Sequence, residues 1–137
     1  MRANQFFTEE NKDQDTVVEM FKLFFPLAME VLGIDRLPKM HFEPLIDTGH
    51  QPSFGMYKTD DKTLYVALLY RHPVDVLRTV AHELVHFRQD LRNELNDQSG
   101  ATGSPEENQA HEIAGVIMRH FNKKYPQFLR SKPIMPV

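Results

Sequence analysis

The chain has 137 residues, 41% of them hydrophobic and 26% charged, with a formal charge of −3 and no cysteine. That length suits one domain with a core of its own, and the ordinary composition excludes wholesale disorder. Without cysteine there are no disulfides, thiolate metal sites or cysteine nucleophiles, so a metal would have to be held by His, Asp or Glu.

The opening residues, Met1 to Glu10, carry no continuous apolar run and soon turn acidic, so they do not read as a signal peptide. Residues 13–32 predict an amphipathic helix that Gly33 stops. Val17, Phe21, Phe24, Ala28 and Val31 recur at helical spacing as its core stripe, and Pro26 is expected to distort it. Lys22, Pro26 and Glu30 interrupt this apolar stretch, leaving it too short and too polar to span a bilayer. The expectation is a protein with no membrane segment, located in the cytoplasm.

Strands are expected at Lys39–Ile46, Ser53–Lys58 and Thr63–Leu69, the last two joined by a turn at 59–62. Leu64, Val66 and Leu68 fall on one face of the last strand and Tyr65, Ala67 and Leu69 on the other, which implies cover on both sides. Pro73 suits the first position of a long helix reaching about residue 92. A polar loop, 93–103, leads to a last helix with Ser104 as N-cap and Pro105 in its first turn, ending near Lys124 before Pro126. The whole reads as one α+β domain: an N-terminal helix, a small, mostly antiparallel sheet and two further helices. Beyond Glu112 there is no acidic residue and the formal charge is +5, leaving −8 for the rest. The basic tail, about 123–137, is read as a solvated helix end or as a contact for nucleic acid.

Residues 82–86 spell His-Glu-Leu-Val-His. Positions i and i+4 of a helix differ by only ~40° in azimuth, so the His82 and His86 imidazoles leave one face and can share one Zn²⁺. Glu83 sits about 100° round from His82, poorly placed to ligate but able to take a proton from a coordinated water. Leu77, Val80, Leu84, Phe87 and Leu91 fall on the opposite pole, leaving Thr79, His82, His86 and Gln89 as a polar stripe. A third protein ligand is needed. Glu107, 21 residues beyond His86, is the leading candidate, and Ala110 and Ala114 beside it would let two helices pack closely. Ser104-x-x-Glu107 is also a capping box, which would occupy the same carboxylate. His111 and Glu106 are the rival ligands. His41, His50, His72 and His120 have no partner at ligand spacing and read as surface or packing residues.

With these residues the chain resembles the zincin metallopeptidases. His82-Glu83-Leu84-Val85-His86 matches their signature, and Glu107-x-x-Ala110-x-x-x-Ala114 is similar to the downstream glutamate helix of gluzincin-type and small ImmA/IrrE-like members. The likeness covers about residues 79–114. It implies a minimal zincin-like domain in which His82, His86 and Glu107 bind one zinc ion and Glu83 is the general base. It also implies that a peptide or protein substrate adds as a strand along the sheet edge. Asp90 stands where SprT-like proteases have a further His, and Arg92 where metzincins have one. Tyr57, Tyr70 and His111 are candidates to stabilise an oxyanion, His111 first.

Three candidate functions follow. The leading one is peptide-bond hydrolysis. The others are a zincin-fold regulatory or binding protein that uses the basic tail on nucleic acid, and a zinc amidase acting on a non-protein substrate.

Overall fold

A computed structural model of the chain describes residues 12–47 and 52–136. His50 and the opening residues 1–11 lie outside that description.

Helix α1, Lys12–Leu32, continues through Pro26. It ends where Gly33 takes a left-handed φ of +67°. The amides of Gly33 and Ile34 then turn back to the carbonyls of Glu30 and Met29, at 3.3 and 3.1 Å. These satisfy two carbonyls that the last turn would otherwise leave open. Its apolar stripe forms one wall of the core: Met20, Phe24 and Ala28 are fully buried.

The strands are shorter and more broken than the sequence implied. The expected strand 39–46 splits into β1, Lys39–Glu43, and β2, Ile46–Asp47, with Pro44 between them. The expected strand 53–58 splits likewise into β3, Pro52–Ser53, and β4, Gly55–Lys58, while β5 covers Thr63–Ala67. Proline lacks a ladder donor, which accounts for the first interruption. Among the described residues two of the three ladders are antiparallel, β2 with β3 and β4 with β5. The third departs from the expectation: β1 runs parallel to β5. Residues 44–62, between these two strands, are long enough to carry the chain back to the starting end of β1, which a tight hairpin is not. The main sheet therefore has the order β1-β5-β4, with β5 in the centre and β4 on an outer edge. In β5 Leu64, Val66 and Ala67 are buried, so the strand is covered on both faces as its alternation implied.

Helix α2, Pro73–Leu91, starts as expected, with Pro73 at its first position. His72 is the N-cap, its Nδ1 accepting from the Val74 amide at 3.0 Å. The helix ends on Asn93, which takes φ +56°. The Glu94 amide reaches back to the Gln89 carbonyl at 2.9 Å, a second left-handed cap. Helix α3, Pro105–Lys124, packs against α2, and its small residues Ala110 and Ala114 are both buried. Leu77, Val80 and Leu84 of α2 and Ile117, Met118 and Phe121 of α3 complete the core with α1. The architecture is α+β.

The basic tail is partly anchored. A 3₁₀ turn, Pro126–Arg130, buries Phe128, and Ile134 is buried beyond it. Ile134 also makes a two-way backbone bridge: its carbonyl accepts from the Tyr70 amide at 2.7 Å and its amide donates to the Arg71 carbonyl at 2.8 Å. No helix among the described residues is long and apolar enough to cross a membrane.

Candidate metal centre

The apolar far side of α2 is what aims its polar stripe. Leu77, Val80, Ala81, Leu84 and Val85 are all fully buried, which fixes the rotation of the helix and turns His82 and His86 toward α3. The packing of α3 against α2 then sets the first turn of α3 opposite them.

Glu107 is where the two helices meet chemically. Its Oε1 lies 2.7 Å from His82 Nε2 and its Oε2 lies 3.1 Å from His86 Nε2. The capping question resolves by division of labour. Ser104 Oγ accepts from the Glu107 amide at 3.0 Å, so the cap forms. The Ser104 amide donates instead to the Ala101 carbonyl at 3.0 Å, and the Glu107 carboxylate faces the histidines. Glu106, the lesser rival, is turned away: its Oε1 accepts from Asn96 Nδ2 at 3.4 Å. His111, one turn along α3, places Nε2 3.4 Å from Glu107 Oε1 and its ring 4.5 Å from that of His82. Ligand atoms of His82, Glu107 and His111 lie within 4.8 Å of one another.

A residue that sequence reasoning left in the polar stripe fixes the proton on His86. Gln89 is buried, with 1% of its surface exposed. Its Nε2 donates to the Glu106 carbonyl at 3.0 Å and to Gln109 Oε1 at 2.8 Å. A carbonyl only accepts, so the amide nitrogen must face Glu106 and Gln89 Oε1 must face His86 Nδ1, 2.8 Å away. His86 Nδ1 therefore carries a proton, and neutral His86 presents a lone pair at Nε2. That lone pair looks at a carboxylate oxygen. A second proton on the imidazole, a proton on the carboxyl, or a cation between the two reconciles the contact. Beside it, burial first, and then the neighbouring His86 and His111, hold His82 below the usual histidine range against the pull of Glu107. The neutral form of His82 is thereby favoured. His82, Glu107 and His111 together could hold a metal ion with N and O ligands, while His86 falls outside that group and meets the other Glu107 oxygen.

Glu83 stands on the neighbouring face, 9% exposed. Burial and the negative charge of Glu107 push its carboxyl up to about 8, opposed by the Tyr57 backbone amide that donates to it. A carboxyl in that range suits acid–base work near neutral pH. It borders a cleft of about 580 Å³, whose walls include Phe54 and Gly55 at the β4 edge, Tyr70, His82 and His111. Gly55 is there because nothing larger fits: a Cβ would stand 2.5 Å from Thr79 Cγ2 and 3.2 Å from the Tyr65 carbonyl.

The remaining expectations sort cleanly. The Tyr57 hydroxyl donates to Asp90 Oδ2 at 2.6 Å, which ties it down away from the cleft lining. Tyr70 lines the cleft, 61% exposed, at a left-handed φ of +63°. His41 stacks on Tyr65, and His72 caps α2. Arg71 was missed. Its guanidinium donates to the Ala67 carbonyl at 2.7 Å and to Thr79 Oγ1 at 2.6 Å and covers the Phe54 ring at 4.4 Å, joining β5, α2 and the start of β4 at the cleft wall. No periodic pattern marks such a residue in sequence.

No family model matches the chain, and no curated protein or solved structure is similar enough to it to count as a match.

Proposed function

We propose that this chain is a metal-dependent hydrolase of peptide bonds, with His82, His86 and Glu107 holding one zinc ion and Glu83 handling the proton. The observation that carries the reading is the pairing of each Glu107 oxygen with one motif histidine, at 2.7 and 3.1 Å, beside a buried carboxyl that borders a cleft. A divalent ion held there supplies Lewis acidity toward a water and toward a carbonyl oxygen.

The chain's own residues do the rest. Gln89 keeps the His86 Nε2 lone pair free by holding the proton on Nδ1. Glu83, steadied by the Tyr57 amide, accepts a proton at its carboxylate from the attacking water and returns it to the departing amine. Its position against Gly55 keeps that carboxylate beside the β4 edge, where an extended chain would lie as an added strand. This edge is what favours a peptide or protein substrate over a non-protein amide.

Glu83→Gln is expected to abolish turnover of a peptide library while leaving zinc bound, because the amide cannot accept the proton yet keeps the shape. Activity retained by that variant contradicts the mechanism. Cleavage of a cell-wall preparation but of no peptide would move the assignment to the amidase reading.

A further inference from the structure

His111 differs from the other three groups at the centre in how it is held. The side chains of His82, His86 and Glu107 are 16%, 13% and 20% exposed, whereas that of His111 is 71% exposed. His86 is further locked by Gln89. The His111 ring rests only one turn from Glu107, against His82, on the side of the site that faces the cleft.

Its distance is nevertheless that of a ligand. Two donors bound at 2.0–2.1 Å to one tetrahedral zinc lie roughly 3.3 Å apart. The separations of the Glu107 oxygens from His82, His86 and His111 Nε2 are 2.7, 3.1 and 3.4 Å, which bracket that value. His111 is thus placed with His82 and Glu107 to hold one ion, His86 meets the second Glu107 oxygen, and of these four side chains His111 alone is held by little more than its own rotamer. A tetrahedral centre has room for all four only if water and substrate are kept out.

We propose that His111 is an exchangeable fourth ligand that closes the metal centre at rest and is displaced when substrate enters the cleft. The inference rests on the metal reading above and adds a gate to it. In the closed state the ion has three imidazoles and one carboxylate. In the open state a rotamer change swings His111 toward solvent, at little cost for a side chain so exposed, and frees the cleft-facing position. A substrate carbonyl competes with the imidazole for that position, so the centre opens on demand.

Cadmium-113 bound to ¹⁵N-labelled full-length protein tests this, because scalar coupling counts the ligating imidazole nitrogens. The expected result is coupling to His82, His86 and His111 in the wild type, and to His82 and His86 alone in His111→Ala with cadmium still bound. The cobalt(II) form of His111→Ala should also bind azide about tenfold more tightly, if the wild-type position is open one tenth of the time. Stoichiometric cadmium coupled only to His82 and His86 in the wild type overturns the gate and leaves the metal site standing. Failure of the wild type to bind cadmium, zinc or cobalt overturns the metal reading itself, and the gate with it.

Discussion

Replacing Gln89 by leucine is the sharpest test of how the site is built, because Gln89 is itself neither a proposed ligand nor part of the cleft lining. The amide makes three hydrogen bonds of 2.8 to 3.0 Å in a place with 1% exposure. Leucine keeps much of the volume and strands the His86 Nδ1 proton, while the Glu106 carbonyl loses the second of its donors and keeps its helix bond. Gln109 is exposed and turns to water. A stranded buried group costs roughly 1–3 kcal/mol, and the better packing of leucine offsets part of it, so the metal-free protein should lose about 2 kcal/mol. Loss of the group that orients a ligating histidine weakens metal binding by roughly 10–100-fold, or about 1.4–2.7 kcal/mol. Urea denaturation in chelator measures the first quantity, and competition against a chromophoric zinc chelator the second. Gln89→Glu separates them: it keeps an acceptor for His86 but sets an oxygen against the Glu106 carbonyl, so it should lose stability and retain affinity. Wild-type zinc affinity in Gln89→Leu would refute the claim that Gln89 sets the His86 tautomer for a metal.

Gly55→Ala should cost on the order of 1–3 kcal/mol in urea denaturation, since its methyl meets Thr79 Cγ2 at 2.5 Å and Arg71 holds Thr79 in place. Thr79→Ser removes that Cγ2 and keeps the hydroxyl, so the double variant should recover part of the loss; no recovery would mean that the Tyr65 carbonyl is the true obstacle. Asp90 supplies the pH dependence. Burial raises its carboxyl, but the hydrogen bonds from Tyr57 and Lys62 outweigh that and hold it below the usual range. Its stabilising effect is therefore complete above the unfolded value of about 3.9 and is lost as the pH falls through the lower folded value. Denaturation midpoints should drop more steeply with acid in the wild type than in Asp90→Asn, and parallel curves would contradict the assignment.

Much of this was legible because the signals were local. Ser104 and Pro105 marked the start of α3, Pro73 that of α2 and Gly33 the end of α1, each through a backbone requirement that operates within one turn. The spacing of His82 and His86 and the downstream Glu107 marked the residues of the site, and the structure sets Glu107 against both histidines. Three features stayed hidden because they are set by distant parts of the chain. The parallel pairing of β1 with β5 depends on how residues 44–62 cross over, which no alternation pattern records. Gln89 sat in the right stripe, three residues past His86, yet its burial comes from α3 closing over it. The basic tail read as solvated, while Phe128 and Ile134 fasten it to the body and to Tyr70 and Arg71. A test of nucleic-acid binding should therefore reverse charges at Lys123, Lys124, Arg130 and Lys132, all exposed, since deleting 123–137 would also remove buried apolar groups.

The proposed hydrolysis requires that Glu107 and the two motif histidines share an ion. Elemental analysis of the purified full-length protein after zinc loading and gel filtration asks this directly. The account predicts one zinc per chain in the wild type and in Glu83→Gln, and loss of that zinc in Glu107→Ala. A wild type that emerges without stoichiometric zinc, or a Glu107→Ala variant that keeps it undiminished, would contradict the account.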